Sequence, residues 1–200
     1  MSFNKIVIFG VGLIGGSAAL ALKQAQAVRH VVGVGRSLDN LQAALDLNVI
    51  DEAQSDIASA LQDADIVLLA TPVAQTPKIL EAIVPHLAAN TVVTDAGSTK
   101  SDVVSAARAA LGEKIEQFVP GHPIAGREQN GPEAALADLY VGKKVILTPL
   151  ADNSPEAVER VASAWRQCGA LIHQLQPQEH DAVFAAVSHL PHLLAYALVD

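Results

Sequence analysis

Short runs of apolar residues recur along the first 175 positions, and segments with helical periodicity separate them. The runs are rich in Val, Ile and Leu without polar alternation, which is typical of strands buried on both faces of a parallel sheet. Strands are predicted at residues 5–9, 31–34, 65–70, 91–95, 116–119, 144–148 and 170–175. Helices are predicted at residues 13–26, 38–47, within 51–62, 132–137 and 155–167. Two more are predicted, one that follows residues 71–73 and ends at about 87, and one that follows residues 95–100 and ends at about 111. This alternation predicts an α/β fold with a doubly wound, mainly parallel sheet.

The pattern changes after residue 175. From Gln178 to Asp200 the apolar residues recur at helical spacing, and Pro191 is expected to bend this helix. The last residues form an apolar run with no helix stop signal. We therefore predict one domain over residues 1–175 and the first helix of a truncated helical domain over residues 176–200. The alternative is a terminal helix that packs back onto the sheet.

The first predicted strand leads directly into three glycines with the spacing GxGxxG, namely Gly10, Gly12 and Gly15. Such glycines allow a tight turn, a close approach of the backbone to a pyrophosphate, and close packing of helix on strand. With Leu13 and Ile14 between them, they open a helix whose N-terminus favours phosphate. This context predicts a Rossmann-like dinucleotide site. The alternative is a glycine-rich turn that binds no ligand.

The end of the second strand indicates which dinucleotide is bound. An NAD site places an acidic residue there to hold the ribose hydroxyls, but this chain has Gly35, Arg36 and Ser37. Arg36 and Ser37 are suited to a 2′-phosphate, and Asp39 comes too late to replace the missing acid. We therefore expect NADP, with NAD possible. The alternative is a surface arginine beside a Ser37 helix cap.

Polar residues also follow later strands, at the edge where ligands bind in doubly wound sheets. Thr71 and Pro72 follow the third predicted strand, and Asp95 ends the fourth. We expect all three to contribute to the cofactor site. Residues 120–126 are predicted to form an irregular loop, in which Pro123 restricts His122 to an extended conformation. A histidine there suits a dehydrogenase, which needs a proton acceptor for a substrate hydroxyl.

Four motifs occur in the order GVGLIGGS, DAGSTK, GHPIAG and SHLPH. Together they resemble the prephenate/arogenate dehydrogenase family of tyrosine biosynthesis. The resemblance implies oxidative decarboxylation of a cyclohexadienyl substrate, with hydride transfer to the nicotinamide and an aromatic product. It also implies a helical dimerisation domain and a homodimer, with a substrate-binding arginine in the missing part.

The resemblance also implies roles for four residues of this sequence. His122 would hold the ring hydroxyl, and Ser98 would orient that histidine. His189 would position the substrate side chain, and Glu128 would shape the pocket. The alternative for Ser98 is the N-cap of the following helix.

The composition bears on the binding partners, the cellular location and metal binding. The chain has 200 residues, a net charge of −8, 50% hydrophobic residues and one cysteine. The absence of a basic patch argues against nucleic acid, and no apolar run is long enough to cross a membrane. The single Cys168 is expected to be a small core residue, which fits a cytoplasmic protein. His189 and His192 have no further ligands at metal spacing, so no metal is expected.

Two other functions remain open. A dehydrogenase resembling the 3-hydroxyacid enzymes, or an imine reductase, shares the glycine motif but commonly uses a late lysine, and no lysine follows Lys144. A non-catalytic NADP-sensing domain would require the histidines of GHPIAG and SHLPH to be incidental. His173 and His180 are predicted to be structural or exposed.

Overall fold

The computed structural model describes the backbone of residues 2–189 and the side chains of residues 2–187. The strands of this part are β1 Phe3–Phe9, β2 Val28–Val34, β3 Glu52–Gln54, β4 Ile66–Leu69, β5 Val92–Asp95, β6 Phe118–Val119, β7 Gly121–Pro123, β8 Lys144–Leu147 and β9 Leu171–Gln174. The α-helices are α1 Leu13–Gln24, α2 Leu38–Asp46, α3 Ile57–Leu61, α4 Thr76–Ile83, α5 Ser101–Leu111, α6 Pro155–Gln167 and α7 Pro177–Phe184.

Six strands form one parallel sheet in the order β3-β2-β1-β4-β5-β6. The order reverses between β1 and β4, which is the switch point where doubly wound sheets bind ligands. The predicted Rossmann-like, doubly wound α/β fold is therefore confirmed. The connections after β1 and β4 both leave the carboxyl edge at this point, so they bring the glycine loop close to Thr71.

The apolar runs arise because the sheet is covered on both faces. Along β1, Ile6 and Ile8 enter one core layer, while Val7 and Phe9 enter the other. The first layer includes residues of α1 and α6, and the second includes residues of α4 and α5. Burial of each such side chain stabilises the fold by about 1.5–3 kcal/mol. A strand in this environment needs apolar residues at consecutive positions.

A second sheet has the order β7-β8-β9. The prediction of an irregular loop over residues 120–126 was wrong for its centre, because Gly121–Pro123 pairs antiparallel with β8. His122 lies opposite Ile146, and the amide of Ile124 donates to the carbonyl oxygen of Lys144 at 2.8 Å. Three residues bounded by prolines carry no strand periodicity, so this strand is defined by its partner. The pairing fixes the backbone that carries His122.

The segment before β8 packs against α1. Its predicted helix at residues 132–137 is instead a 3₁₀ turn, Pro132–Ala134. The amide of Leu136 donates to the Ser17 hydroxyl at 2.9 Å, and the buried Tyr140 hydroxyl donates to the carbonyl oxygen of Ile14 at 2.6 Å. These contacts hold the second sheet beside the helix that follows the glycine loop.

The last described elements are α7 and a π-helical turn, Ala185–His189. Helix α7 lies against the start of α5, where the Asp181 carboxylate accepts from the backbone of that helix. Val183 and Val187 are 46% and 65% exposed, so an apolar surface remains on α7 and the turn. Pro191 and the rest of the predicted helix lie outside the described residues.

Candidate active site

In the glycine loop, two positions require glycine to avoid clashes, and the backbone at a third position is accessible. Gly10 has a φ of 92°, and a Cβ there would lie 2.7 Å from the carbonyl oxygen of Ala70. A Cβ on Gly15 would lie 2.3 Å from the carbonyl oxygen of Gly10, so α1 and β1 pack closely. No atom of the described residues lies within 4 Å of a Cβ placed on Gly12. The backbone at Gly12 is therefore open to a phosphate.

Leu13 and Ile14 begin α1, and their side chains pack in the core layer beneath it. Their contribution to a bound phosphate is therefore limited to backbone amides, which have no partner inside the helix at its first turn. The first turn of α1 contains no acidic residue. The positive end of the helix dipole is thus not cancelled by a nearby carboxylate.

Thr71 and Pro72 follow β4 beside this loop. The Thr71 side-chain oxygen is buried and has no hydrogen-bond partner among the described residues. A buried hydroxyl without a partner is costly, so it is a candidate donor or acceptor for a bound molecule. Pro72 is exposed and precedes the 3₁₀ turn Val73–Gln75. The open backbone at Gly12 and the unpaired Thr71 hydroxyl together fit a dinucleotide.

At the end of β2, Gly35, Arg36 and Ser37 are all exposed. The Ser37 hydroxyl accepts from the amide of Asn40 at 3.2 Å, so Ser37 is the N-cap of α2 as the alternative interpretation expected. Arg36 makes no hydrogen bond or ion pair within residues 2–189, and its guanidinium is available to an anion. The two roles are compatible because they use different side chains.

Asp95 forms a buried clamp between β5 and β7. Its Oδ1 accepts from the amide of Gly121 at 3.0 Å, and its Oδ2 accepts from the amide of Gly97 at 2.8 Å and from Lys100. Lys100 also donates to the carbonyl oxygen of Gly121 at 2.7 Å. Both carboxylate oxygens thus accept hydrogen bonds within the protein, and Asp95 fixes the strand that carries His122. The expected contribution of Asp95 to the cofactor site stays a prediction.

Lys100 is fully buried. Burial lowers the pKa of its ammonium group, and the neighbouring Asp95 carboxylate opposes that shift. An ammonium group with both a carboxylate and a carbonyl partner is well satisfied inside a protein. Lys100 belongs to the DAGSTK motif, but the sequence alone does not distinguish it from the other residues of that motif.

His122 is linked to two residues that sequence analysis did not select. Its Nδ1 lies 2.8 Å from Nε2 of His180, and the other ring nitrogen of His180 lies 2.8 Å from Oδ1 of Asp181. The ring of Phe184 packs beside both histidines, with centroid distances of 5.1 and 4.6 Å. His180 is fully buried, so of its two predicted alternatives the exposed one was wrong. We call His122, His180 and Asp181 the histidine chain.

Asp181 also holds the N-terminus of α5. Its Oδ1 and Oδ2 each accept at 2.8 Å, from the amides of Lys100 and Ser101 respectively. Burial alone would raise the pKa of Asp181, but hydrogen bonds from Ser101, His180 and Lys100 lower it well below its usual range. Burial lowers the pKa of His180, and its bond to Asp181 opposes this shift. At neutral pH the pair is therefore an ionised carboxylate and a neutral imidazole.

The structure does not bring Ser98 or Glu128, two residues implied by the resemblance, into the histidine chain. Ser98 is exposed and has no hydrogen bond to a described residue. It is not the N-cap of α5, which begins at Ser101 and is capped by Asp181. Glu128 is exposed in the connection between β7 and the 3₁₀ turn. His189 ends the described backbone, and its side chain lies outside the described part.

Comparison with known proteins decides the family. Residues 18–174 match the family model described as prephenate dehydrogenase, nucleotide-binding domain, and residues 176–200 match prephenate dehydrogenase, dimerization domain. The chain belongs to the prephenate dehydrogenase family. The resemblance drawn from the four motifs is therefore confirmed, and the related proteins of this family are dehydrogenases.

Individual relatives agree with this placement. The chain is 38% identical over 197 residues to the cyclohexadienyl dehydrogenase of Zymomonas mobilis, covering 98% of this chain and 67% of that protein. It is also 38% identical to the prephenate dehydrogenase of Bacillus subtilis, with 98% of this chain and 53% of that protein covered. The chain thus spans about half to two thirds of these relatives.

A solved relative shows the same fold. Prephenate dehydrogenase from A. aeolicus, in complex with hydroxyphenyl propionate and NAD+, superposes with a TM-score of 0.93 at 38% identity. The match covers 100% of this chain and 69% of that chain. The family expected from GHPIAG and SHLPH therefore agrees in sequence and in fold, and the nucleotide-binding function of the parallel sheet follows from it.

Other expectations concern the cysteine, metals and membranes. Burial raises the pKa of the Cys168 thiol to about 12, which agrees with an unreactive core residue. The described side chains, those of residues 2–187, contain no cluster of three potential metal ligands from His, Cys, Asp and Glu. In the same part of the chain, every helix is too short or too polar to cross a bilayer.

Proposed function

We propose that this chain supplies the nucleotide site and the proton-accepting histidine of a dehydrogenase that oxidatively decarboxylates prephenate, arogenate or both. The observation that carries this proposal is the placement of His122. Strand β7 holds it at the end of β5, where the Asp95 and Lys100 clamp fixes the backbone, and His180 engages its Nδ1. Family membership supports the substrate class, because both relatives named above act on cyclohexadienyl compounds or prephenate by name.

In this proposal the backbone around Gly12 and the Thr71 hydroxyl hold a nicotinamide dinucleotide, which supplies a hydride acceptor when bound. His122 faces the ring hydroxyl of the substrate with Nε2. As the C–H bond on the carbon bearing that hydroxyl breaks and its hydride leaves for the bound acceptor, positive charge would develop on that carbon. The hydroxyl proton would then move towards Nε2, which stabilises the transition state more than the ground state. The ring carboxylate then leaves as carbon dioxide, its electron pair makes the ring aromatic, and His122 returns the proton to the phenolate oxygen.

The test is turnover of prephenate and of arogenate by the full-length protein, with reduced cofactor measured by absorbance. General acid–base groups typically contribute about 10²–10⁴-fold, so His122→Asn should lower kcat by roughly that factor. Cofactor affinity should stay unchanged because the glycine loop is untouched. His86→Asn is the control, since His86 is exposed in the turn after α4. Near-normal turnover of His122→Asn would assign the proton to another residue.

For the cofactor, we propose that NADP binds more tightly than NAD. Support comes from Arg36, which is exposed at the end of β2 and has no partner among the described residues. A hydrogen bond to a charged group contributes about 1.5–3 kcal/mol, so Arg36→Ala should weaken NADP binding at least ~10-fold and leave NAD nearly unchanged. Arg29→Ala, at the other end of the same strand, is the control. Equal losses for both cofactors would show that Arg36 does not bind the 2′-phosphate.

For assembly, we propose a homodimer formed through the helical part that begins at α7. Support comes from the match of residues 176–200 to a dimerization domain and from the exposed Val183 and Val187. Apolar surface of this kind favours association. Sedimentation of the full-length protein should give the mass of a dimer, and a monomer at micromolar concentration would contradict this assignment. The cytoplasmic location expected from the sequence stays a prediction.

A further inference from the structure

The donor and the acceptor of each hydrogen bond in the histidine chain can be assigned, because the chain ends at a carboxylate, which only accepts. Asp181 is ionised at neutral pH and has only acceptors, so the ring nitrogen of His180 that faces it must carry a hydrogen. The opposite tautomer would place a nitrogen lone pair 2.8 Å from a carboxylate oxygen, which is repulsive. His180 is therefore a donor at Nδ1.

The next link follows from the charge of His180. It is fully buried, and a neutral imidazole with hydrogen on Nδ1 has a lone pair on Nε2. This Nε2 lies 2.8 Å from Nδ1 of His122, so His122 must donate there. Neutral His122 then carries its own lone pair on Nε2. That is the form a base needs in order to accept a proton from a hydroxyl.

We propose that His180 and Asp181 are positioning residues that fix the tautomer and ring orientation of His122. This inference rests on the proposed function for its catalytic meaning, while the hydrogen-bond assignment stands on the distances within the histidine chain and on the charge states of Asp181 and His180. When His122 becomes protonated, its Nδ1 hydrogen still points at the lone pair of His180. The Asp181 carboxylate then stabilises the positive charge through His180, as the third member of a catalytic triad does.

Several charged or titratable groups surround the histidine chain. Helix α7 contributes Asp181, the end of β5 contributes Asp95, and the residue before α5 contributes Lys100. Lys100 disfavours a positive charge on His180, whereas the two carboxylates favour it. In the second sheet, His173 lies in the same cross-strand row as His122, with Ile146 between them. The pH dependence of the His122 signals therefore reflects the combined effect of these groups.

The first test is the tautomer of His122, read from ring nitrogen and proton shifts in NMR spectra of the ¹⁵N-labelled full-length protein. His122→Asn identifies its signals among the seven histidines of the chain. We expect neutral His122 to carry hydrogen on Nδ1. His180→Phe keeps a ring against Phe184 but removes both hydrogen bonds, so it should shift His122 towards hydrogen on Nε2. Hydrogen on Nε2 in the unaltered protein, or no change in His180→Phe, would overturn the proposal.

The second test is kinetic, with the same substrates as above. His180→Phe should lower kcat by about 10–100-fold, since a hydrogen bond to a developing charge is lost, while KM for substrate and cofactor changes less than ~3-fold. The acidic limb of the pH–rate profile should move to lower pH, because protonated His122 loses its acceptor. A loss of packing alone would not shift that limb. An unshifted limb would therefore contradict the positioning role of His180.

His180→Gln is the conservative variant, and it also serves if the phenylalanine variant does not fold. Its amide oxygen can accept from His122, so it should retain the Nδ1 hydrogen and recover part of kcat. His86→Gln is the matched control on an exposed histidine. The two proposals fail separately. An Nδ1 hydrogen on His122 without prephenate or arogenate turnover would refute the activity and keep the hydrogen-bond assignment, whereas turnover without that tautomer would do the reverse.

Discussion

Replacement of Asp181 by alanine is expected to destabilise the fold through two separate losses. The amides of Lys100 and Ser101 at the start of α5 lose their acceptor, and such a cap typically contributes ~1 kcal/mol. The fully buried His180 also loses the partner of its Nδ1 hydrogen, and an unsatisfied buried donor costs about 1–3 kcal/mol. The free energy of unfolding should therefore fall by about 2–4 kcal/mol.

The assay is thermal unfolding followed by circular dichroism at pH 7. In a protein of this size each kcal/mol shifts Tm by about 2–4 °C, so Asp181→Ala should lower Tm by about 4–16 °C. Asp102→Ala is the matched control, because Asp102 is an exposed acid in the first turn of the same helix. It removes an equal charge, and its interaction with the helix dipole contributes only about 0.3–1 kcal/mol. A Tm for Asp181→Ala close to that of the control would refute the double loss.

The pH dependence gives a second check. The pKa of Asp181 is lower in the folded protein than in the unfolded chain, so its stabilising effect is complete above the unfolded value of ~3.9. It is lost as the pH falls towards the folded value. The difference in the free energy of unfolding between the parent and Asp181→Ala should thus shrink between pH 5 and pH 3. A difference that stays constant over this range would show that the ionised carboxylate is not responsible.

Two glycine substitutions test the nucleotide site in opposite ways. Gly15→Ala should lower the stability by about 1–3 kcal/mol, seen as a lower Tm, because its Cβ would lie 2.3 Å from the carbonyl oxygen of Gly10. Gly12→Ala should leave Tm within ~2 °C of the parent, since no described atom lies within 4 Å of its Cβ, but should weaken dinucleotide binding at least ~10-fold in titration calorimetry. Normal binding by folded Gly12→Ala would show that phosphate does not approach there.

The fold could be predicted from the sequence because its main signals are local. A few neighbouring residues are enough to predict β1 and β4 from their apolar runs, and the same holds for the glycine loop after β1. The short strands β3 and β7 were missed for the same reason. Glu52–Gln54 is polar and short, and it is a strand only because it pairs with the edge of β2. Pairing of that kind is a property of the folded sheet and leaves no periodicity in the sequence.

The candidate site also has one residue that the local sequence predicts and others that it does not. His122 could be selected because Pro123 and the preceding strand restrict it locally. Its partner His180 is 58 positions away, and Asp181 is 81 positions from the Lys100 amide that it accepts from. Nothing in a single sequence links such positions, so His180 could not be told from an ordinary helical histidine. The adjacent His180 and Asp181, just after a helix start, were the only local signal available.

Helix α7 makes the nucleotide-binding sheet and the following segment interdependent. The residues that match the nucleotide-binding model end at 174, whereas His180 and Asp181 fall in the segment that matches the dimerization model. His122 is therefore held by a strand of one part and oriented by a helix of the other. The same helix exposes Val183 on its outer surface, so a partner that packs there contacts the element that orients His122. A shift of α7 relative to α5 would break the bonds that Asp181 accepts from the amides of Lys100 and Ser101, so these bonds hold α7 in place.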